Sequence, residues 1–191
     1  MNYLAHLFLS CHDEQLLVGN FLADFIKKKE AEQLPASYYQ GILFHRQIDQ
    51  YTDQHDLVLK GVRRLYPRHS KYASVVIDIF YDYFLYQNWE KYTHESFSSF
   101  QQRIYAVLLN HLETAPSRIQ YQISNMVRSS WLEVYGHKQG IENTFRRMQH
   151  RVSRPELLED ILISLEKDHD LLNEEFNAFF PDLISELDCF C

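Results

Sequence analysis

Residues 41–55, GILFHRQIDQYTDQH, read as one amphipathic helix, and the rest of the chain is organised around it. Ile42, Leu43, Ile48 and Tyr51 fall on an apolar stripe, while His45, Asp49 and Asp53 recur every four residues. A step of four advances about 400° on a helix of 3.6 residues per turn, so neighbours on that ladder lie about 40° apart and one turn up. An imidazole and a carboxylate so placed can aim at one metal ion or at a water beside a phosphate. The same pattern also suits a plain solvated face.

Towards the amino terminus, residues 2–11 carry Leu4, Leu7 and Phe8 at helical spacing with His6 on a neighbouring face. Gly19-Asn20 reads as a local breaker, with Asn20 as N-cap of a helix over 21–28. On one straight helix His6 and Asp24 would stand roughly 27 Å apart. They meet at one site only if the chain folds back near Gly19. Ser37 is the expected N-cap of the central helix, and a further helix over 56–66 is closed by Pro67.

Residues 71–89 form the second informative stretch. Val75, Ile79, Phe80, Phe84 and Leu85 are apolar, yet Asp78 and Asp82 sit four apart among them. Burying an unpaired carboxylate is costly, so these acids need an exposed strip, arginine partners or a cation. The later half reads as scaffold, with helices over 95–112, 117–135, 141–152 and 156–179; His69 and His94 are expected at the surface. The sum is about eight helices and no strand.

Composition agrees. The chain has 191 residues with only five Gly and five Pro, and no linker or repeat divides it. This predicts one all-α domain, a helical bundle over residues 1–191. A net charge of -7 argues against nucleic acid as a partner. Basic residues still cluster at Lys27 to Lys29, at Arg63, Arg64, Arg68 and Lys71, and at Arg146, Arg147, Arg151 and Arg154, where an acidic partner could dock. The most apolar run, 75–85, contains Asp78 and Asp82 and is no membrane span. The opening residues lack a basic region and make a poor signal peptide. Cys11, Cys189 and Cys191 make no disulfide framework, which points to a reduced, cytoplasmic setting.

Histidines with several aspartates form a ligand set suited to Mn, Mg, Fe or Zn. A di-iron bundle would need two Glu-x-x-His motifs, and only Glu166-Lys-Asp-His169 is present. There is no Gly-x-Ser-x-Gly elbow, phosphate loop or dinucleotide fingerprint. His-Asp pairs, as used by metal-dependent HD phosphohydrolases, occur at His12-Asp13, His55-Asp56 and His169-Asp170; at least some must be decoys. Arg128 stands out as an anion contact in the scaffold half.

Taken together, MNYLAHLFLS, LLVGNFLADF, GILFHRQIDQYTDQH and VVIDIFYDYFL resemble, in order, the acyl-carrier-protein phosphodiesterase family. The resemblance covers roughly residues 1–90. It implies an all-helical enzyme similar to the HD phosphohydrolases, using a divalent metal, Mn or Mg, to hydrolyse the diester joining 4′-phosphopantetheine to a serine of holo-acyl-carrier protein. His6, Asp24, His45, Asp78 and Asp82 match the family blocks and are the expected metal ligands. Asp24, His45, Asp49 and Arg46 are the expected catalytic residues. Arg128, Arg63, Arg64 and Lys28 are the expected substrate contacts, since the carrier is small and acidic. One departure is Leu57 after His55-Asp56, where the family leads one to expect proline after the histidine. Competing possibilities are an HD-type hydrolase of a nucleotide or small phosphate ester, and a non-catalytic helical module that binds an acidic carrier.

Overall fold

The shortest route into the fold is through its first helix. The seven residues of α1, Tyr3–Leu9, bury every side chain from Leu4 to Leu9, His6 included. Too short to stand alone, α1 is held from below: both oxygens of the buried Asp82 accept backbone N–H groups at its start, from Leu4 at 2.8 Å and Ala5 at 3.1 Å. Those amides have no partner within the helix, and a carboxylate there also suits the positive end of the helix dipole.

The structure, a computed structural model, describes residues 1–10 and 13–188; Cys11, His12, Cys189 and Cys191 lie outside them. Among the described residues twelve α-helices and four 3₁₀ segments occur, with no strand. The helices are α1, α2 (Glu14–Leu22), α3 (Lys28–Ala31), α4 (Ala36–Gln54), α5 (Asp56–His69), α6 (Ala73–Gln87), α7 (Trp89–Tyr92), α8 (Phe97–Asn110), α9 (Ser117–Arg128), α10 (Lys138–Gln149), α11 (Ile161–Lys167) and α12 (His169–Glu186). They pack round one hydrophobic cluster in which Phe21, Phe80, Phe84, Phe176 and Phe180 are essentially buried. No helix is long and apolar enough to cross a membrane among the described residues.

The all-helical expectation holds, but several boundaries differ for definite reasons. The chain folds back before Asp13, whose side chain caps α2 by accepting the Leu16 amide, and not at Gly19. Gly19-Asn20 lies inside α2, so Asn20 is no cap. The glycine serves a helix crossing instead. A Cβ on Gly19 would lie 2.0 Å from the Tyr38 carbonyl oxygen, and one on Gly41 2.2 Å from that of Leu16. Only glycine at both positions lets α2 and α4 come backbone to backbone. The central helix starts at Ala36, ahead of Ser37, and Pro67 lies inside the last turn of α5.

Two longer helices expected from sequence are divided where Ser130 and Asp160 take positive φ of 49° and 50°; Ser70, at 46°, falls between two expected helices. His69 corrects the surface assignment. It is fully buried, with Nδ1 against the Leu157 carbonyl and Nε2 against the Ser164 hydroxyl, both at 2.7 Å. His94 is exposed as expected.

Candidate metal centre

The α2–α4 crossing brings Asn20 opposite His45, and α1 lays His6 across both. The two imidazoles stack with ring centroids 4.0 Å apart and planes 18° from parallel. Asn20 Oδ1 lies 2.9 Å from His6 Nδ1 and 3.0 Å from His45 Nδ1. The Asn20 amide nitrogen donates to the His6 carbonyl and to Ser10 Oγ, each at 2.9 Å. A carbonyl can only accept, so the orientation of the Asn20 amide is fixed and its oxygen faces the rings.

The opposite ring edges face carboxylates. His6 Nε2 is 3.1 Å from Asp49 Oδ1; His45 Nε2 is 3.2 Å from Asp49 Oδ2 and 3.5 Å from Asp24 Oδ1. Each imidazole therefore meets acceptors at both nitrogens, whereas a neutral ring has one N–H. Burial pushes the His6 pKa down to about 4, so this ring is neutral at neutral pH. With its Nδ1–H donated to Asn20, the Nε2 lone pair of His6 points at the Asp49 carboxylate, and Nε2 of His45 faces the same carboxylate. A lone pair facing a carboxylate at such a distance suits a cation between them. One donor atom each from His6, His45 and Asp49 lie within 4.8 Å of one another, the only such trio of His, Cys, Asp or Glu among the described residues. The donor set fits a divalent ion, with Asn20 as the outer partner that fixes both tautomers.

The histidines form the floor and the acids the rim. His6 and His45 are buried, while the side chains of Asp49 and Asp24 are 41% and 40% exposed. Burial raises the Asp24 carboxyl above its usual value, His45 opposing. Asp78 lies one contact away: the buried Met1 amine is 3.1 Å from Asp78 and 3.9 Å from Asp49. Asp82 departs from its expected place among the ligands, since both of its oxygens hold the start of α1. Its pKa is pushed up to about 7 by burial, against the pull of those amides.

The expected substrate arginines separate as well. Arg64 is paired through both terminal nitrogens with Glu175, which is 5% exposed, so its charge is already neutralised within the fold. Lys28 sits 3.9 Å from Glu32 on the surface. Arg63, Arg128 and Arg46 are exposed and make no ion pair among the described residues; Arg46 directly follows His45 on α4. The described His-Asp pairs are decoys. His55 caps α5 by accepting the Leu57 amide and lies 3.4 Å from Asp182, and His169-Asp170 opens α12. His12 lies outside the described residues.

A solvent-open cavity of about 880 Å³ adjoins the rim, lined on one side by Met1, Tyr3 and Asp78 and on the other by Arg147 and Arg151 from α10 and the turn after it. Burial and then the Asp24 charge push the Tyr3 phenol upward while Arg151 pulls it down, so Tyr3 stands between the centre and that wall. Sequence reasoning placed both arginines in a basic cluster without singling them out. Asn20 was missed in its present role: its one signal was a polar residue beside a glycine, and that pattern also describes a turn.

A buried His–His–Asp cluster on crossing helices defines the chain as a helical protein with a candidate cation-binding centre. A profile of the acyl carrier protein phosphodiesterase family matches residues 1–183. The chain is 30% identical to the acyl carrier protein phosphodiesterase of Serratia proteamaculans and 29% to that of Yersinia enterocolitica, in each case over 97% of both chains. It is 31% identical to the Salmonella agona protein of the same name, again over 97% of each. No solved structure matches it. The chain belongs to the acyl carrier protein phosphodiesterase family.

Proposed function

We propose that the protein is a metal-dependent phosphodiesterase that releases 4′-phosphopantetheine from the serine of holo-acyl-carrier protein, leaving the apo carrier. The observation that carries the metal requirement is Asn20 Oδ1 facing both Nδ1 atoms, which leaves both Nε2 atoms directed at Asp49. His6, His45 and Asp49 hold the ion, with Asp24 and Asp78 at the edge of the same space. A divalent ion so held, Mn or Mg, supplies charge to the phosphoryl oxygens and makes water more acidic.

The residues of the chain do the rest. Asp24, half-exposed with its carboxyl raised by burial, is placed to take a proton from the attacking water. Water oxygen bonds to phosphorus and the bond from phosphorus to the serine oxygen breaks. A proton returns to that oxygen to give the serine hydroxyl, and 4′-phosphopantetheine leaves as a monoester. Arg46, at the exposed position after His45, offsets charge building on the phosphoryl group. Arg147 and Arg151, which make no ion pair among the described residues, face the incoming acidic carrier.

The test is to incubate holo-carrier and Mn with the protein and weigh the carrier by mass spectrometry. Loss of the phosphopantetheine mass is expected, and neither His45→Ala nor Asp24→Ala should release it while helical circular dichroism persists. An unchanged carrier with wild-type protein overturns the proposal; hydrolysis of a nucleotide instead would support a small-ester hydrolase. Carrier binding that needs no metal and survives Asp24→Ala, without turnover, would indicate a binding module.

A further inference from the structure

The cavity beside the rim is more than an approach to the metal centre. Its walls come from α6, α9, α10 and the 3₁₀ segment Trp131–Gly136, and it mixes two kinds of surface. Val75, Ile79, Met126, Val134 and Met148 are apolar. Gln122 and Asn125 bring side-chain amides with no hydrogen-bond partner among the described residues. Three buried side-chain polar atoms lack a partner among the described residues, and only the Trp131 indole N–H belongs to a residue lining this cavity. Trp131 is 9% exposed, stacked at 5.0 Å on Tyr105, so its ring is well fixed while its donor has no acceptor. An orphaned buried donor costs stability, and a ligand carbonyl would satisfy it once neighbouring side chains yield, since the nitrogen has almost no accessible surface of its own. The rim also carries Tyr121, 73% exposed, an aromatic surface with little reason to face water.

Together these features describe a ligand that is elongated, partly apolar and rich in amides, attached to an anion that Arg147 and Arg151 of the same lining also favour. We propose that this cavity is the subsite for the pantetheine arm of the carrier substrate, with the Trp131 N–H donating to an amide carbonyl of the arm and Asn125 and Gln122 answering its other amide groups. This rests on the phosphodiesterase function proposed above. A pantetheine arm presents two amides, a branched dimethyl carbon and methylene groups, and the cavity offers matching surfaces next to Asp78 and the metal centre. Trp131 is thus a specificity-determining residue, remote from the reacting atoms.

The test uses the full-length, Mn-loaded protein. KM and kcat for holo-carrier, and inhibition by D-pantetheine (which lacks the phosphate), are measured for wild type, Trp131→Phe, Asn125→Ala and Met148→Trp. D-Pantetheine should compete with holo-carrier. Trp131→Phe should raise KM and the inhibition constant together, each by about fivefold, with kcat within about twofold. Met148→Trp, which fills the cavity, should raise both further. A merely structural Trp131 would lower the thermal midpoint and kcat without moving the pantetheine constant. Folded variants, Asn125→Ala included, with wild-type KM and wild-type pantetheine inhibition would overturn the subsite while leaving the hydrolytic function intact. Wild-type protein that releases no phosphopantetheine would overturn the function itself; calorimetric binding of D-pantetheine to wild type and variants would then decide the cavity separately.

Discussion

A single amide oxygen, that of Asn20, accepts both imidazole Nδ1–H groups of the candidate centre. Outer partners of this kind set tautomer and ring orientation, and their loss costs about 10- to 100-fold in metal affinity. Asn20→Ala is therefore expected to weaken Mn binding by that factor in calorimetric titration, with the helical spectrum retained; unchanged affinity would remove Asn20 from the centre. His45 and Asp49 were legible from four-residue spacing on one helix, and His6 and Asp24 through the blocks that resemble the family. Asn20 was not, because its partners lie 14 and 25 positions away and its local signature is that of a turn. Asp82 was legible as a buried acid needing compensation, but the amides that compensate it lie more than 75 residues away in sequence.

Among helices, two devices position the centre. The first is the Asp82 carboxylate under α1. Its pKa of about 7 in the folded protein lies above its ordinary value of 3.8, so between those values the folded state binds the proton more tightly than the unfolded chain. Stability from this group is then greatest at low pH and declines as pH rises towards 7. Between pH 5 and 8 wild type should lose about 2 kcal/mol relative to Asp82→Asn, read from urea unfolding at each pH. A parallel pH dependence in the two proteins would contradict this assignment. The second device is the Gly19–Gly41 crossing. Gly41→Ala places a methyl against the Leu16 carbonyl and should cost about 2–3 kcal/mol in urea unfolding while also weakening Mn binding, because Asn20 and His45 move apart. Hydrophobic periodicity made most of the long helices legible, α4 and α6 above all. The divisions at Ser130 and Asp160 were not, since no glycine marks these positive-φ positions and packing imposes them.

Over the whole molecule, charge is used for structure. Glu175, nearly buried, holds α12 to α5 through Arg64, with Lys60 3.1 Å away. Removing one partner of such a pair leaves a buried charge, so Arg64→Met should lower stability by about 3 kcal/mol in urea unfolding. Its KM for holo-carrier should stay at the wild-type value, whereas a rise would restore Arg64 as a substrate contact. The basic clusters were visible as composition, but which cations are already neutralised depends on acids such as Asp160 and Glu175, brought up from the far end of the chain.

The parts of the cavity and the centre are contributed by different portions of the polypeptide. The cluster that would grip the ion is built from α1 and α4, with Asn20 of α2 behind it, while much of the cavity wall comes from α9, α10 and the 3₁₀ segment between them. Under the proposed function, reactive machinery and cargo selection would be encoded in separate stretches of sequence. A chimaera carrying residues 117–152 from the Serratia relative would be expected to inherit the donor's preference among carriers while its metal affinity stays with the host. Selectivity could drift in this lineage without disturbing the chemistry.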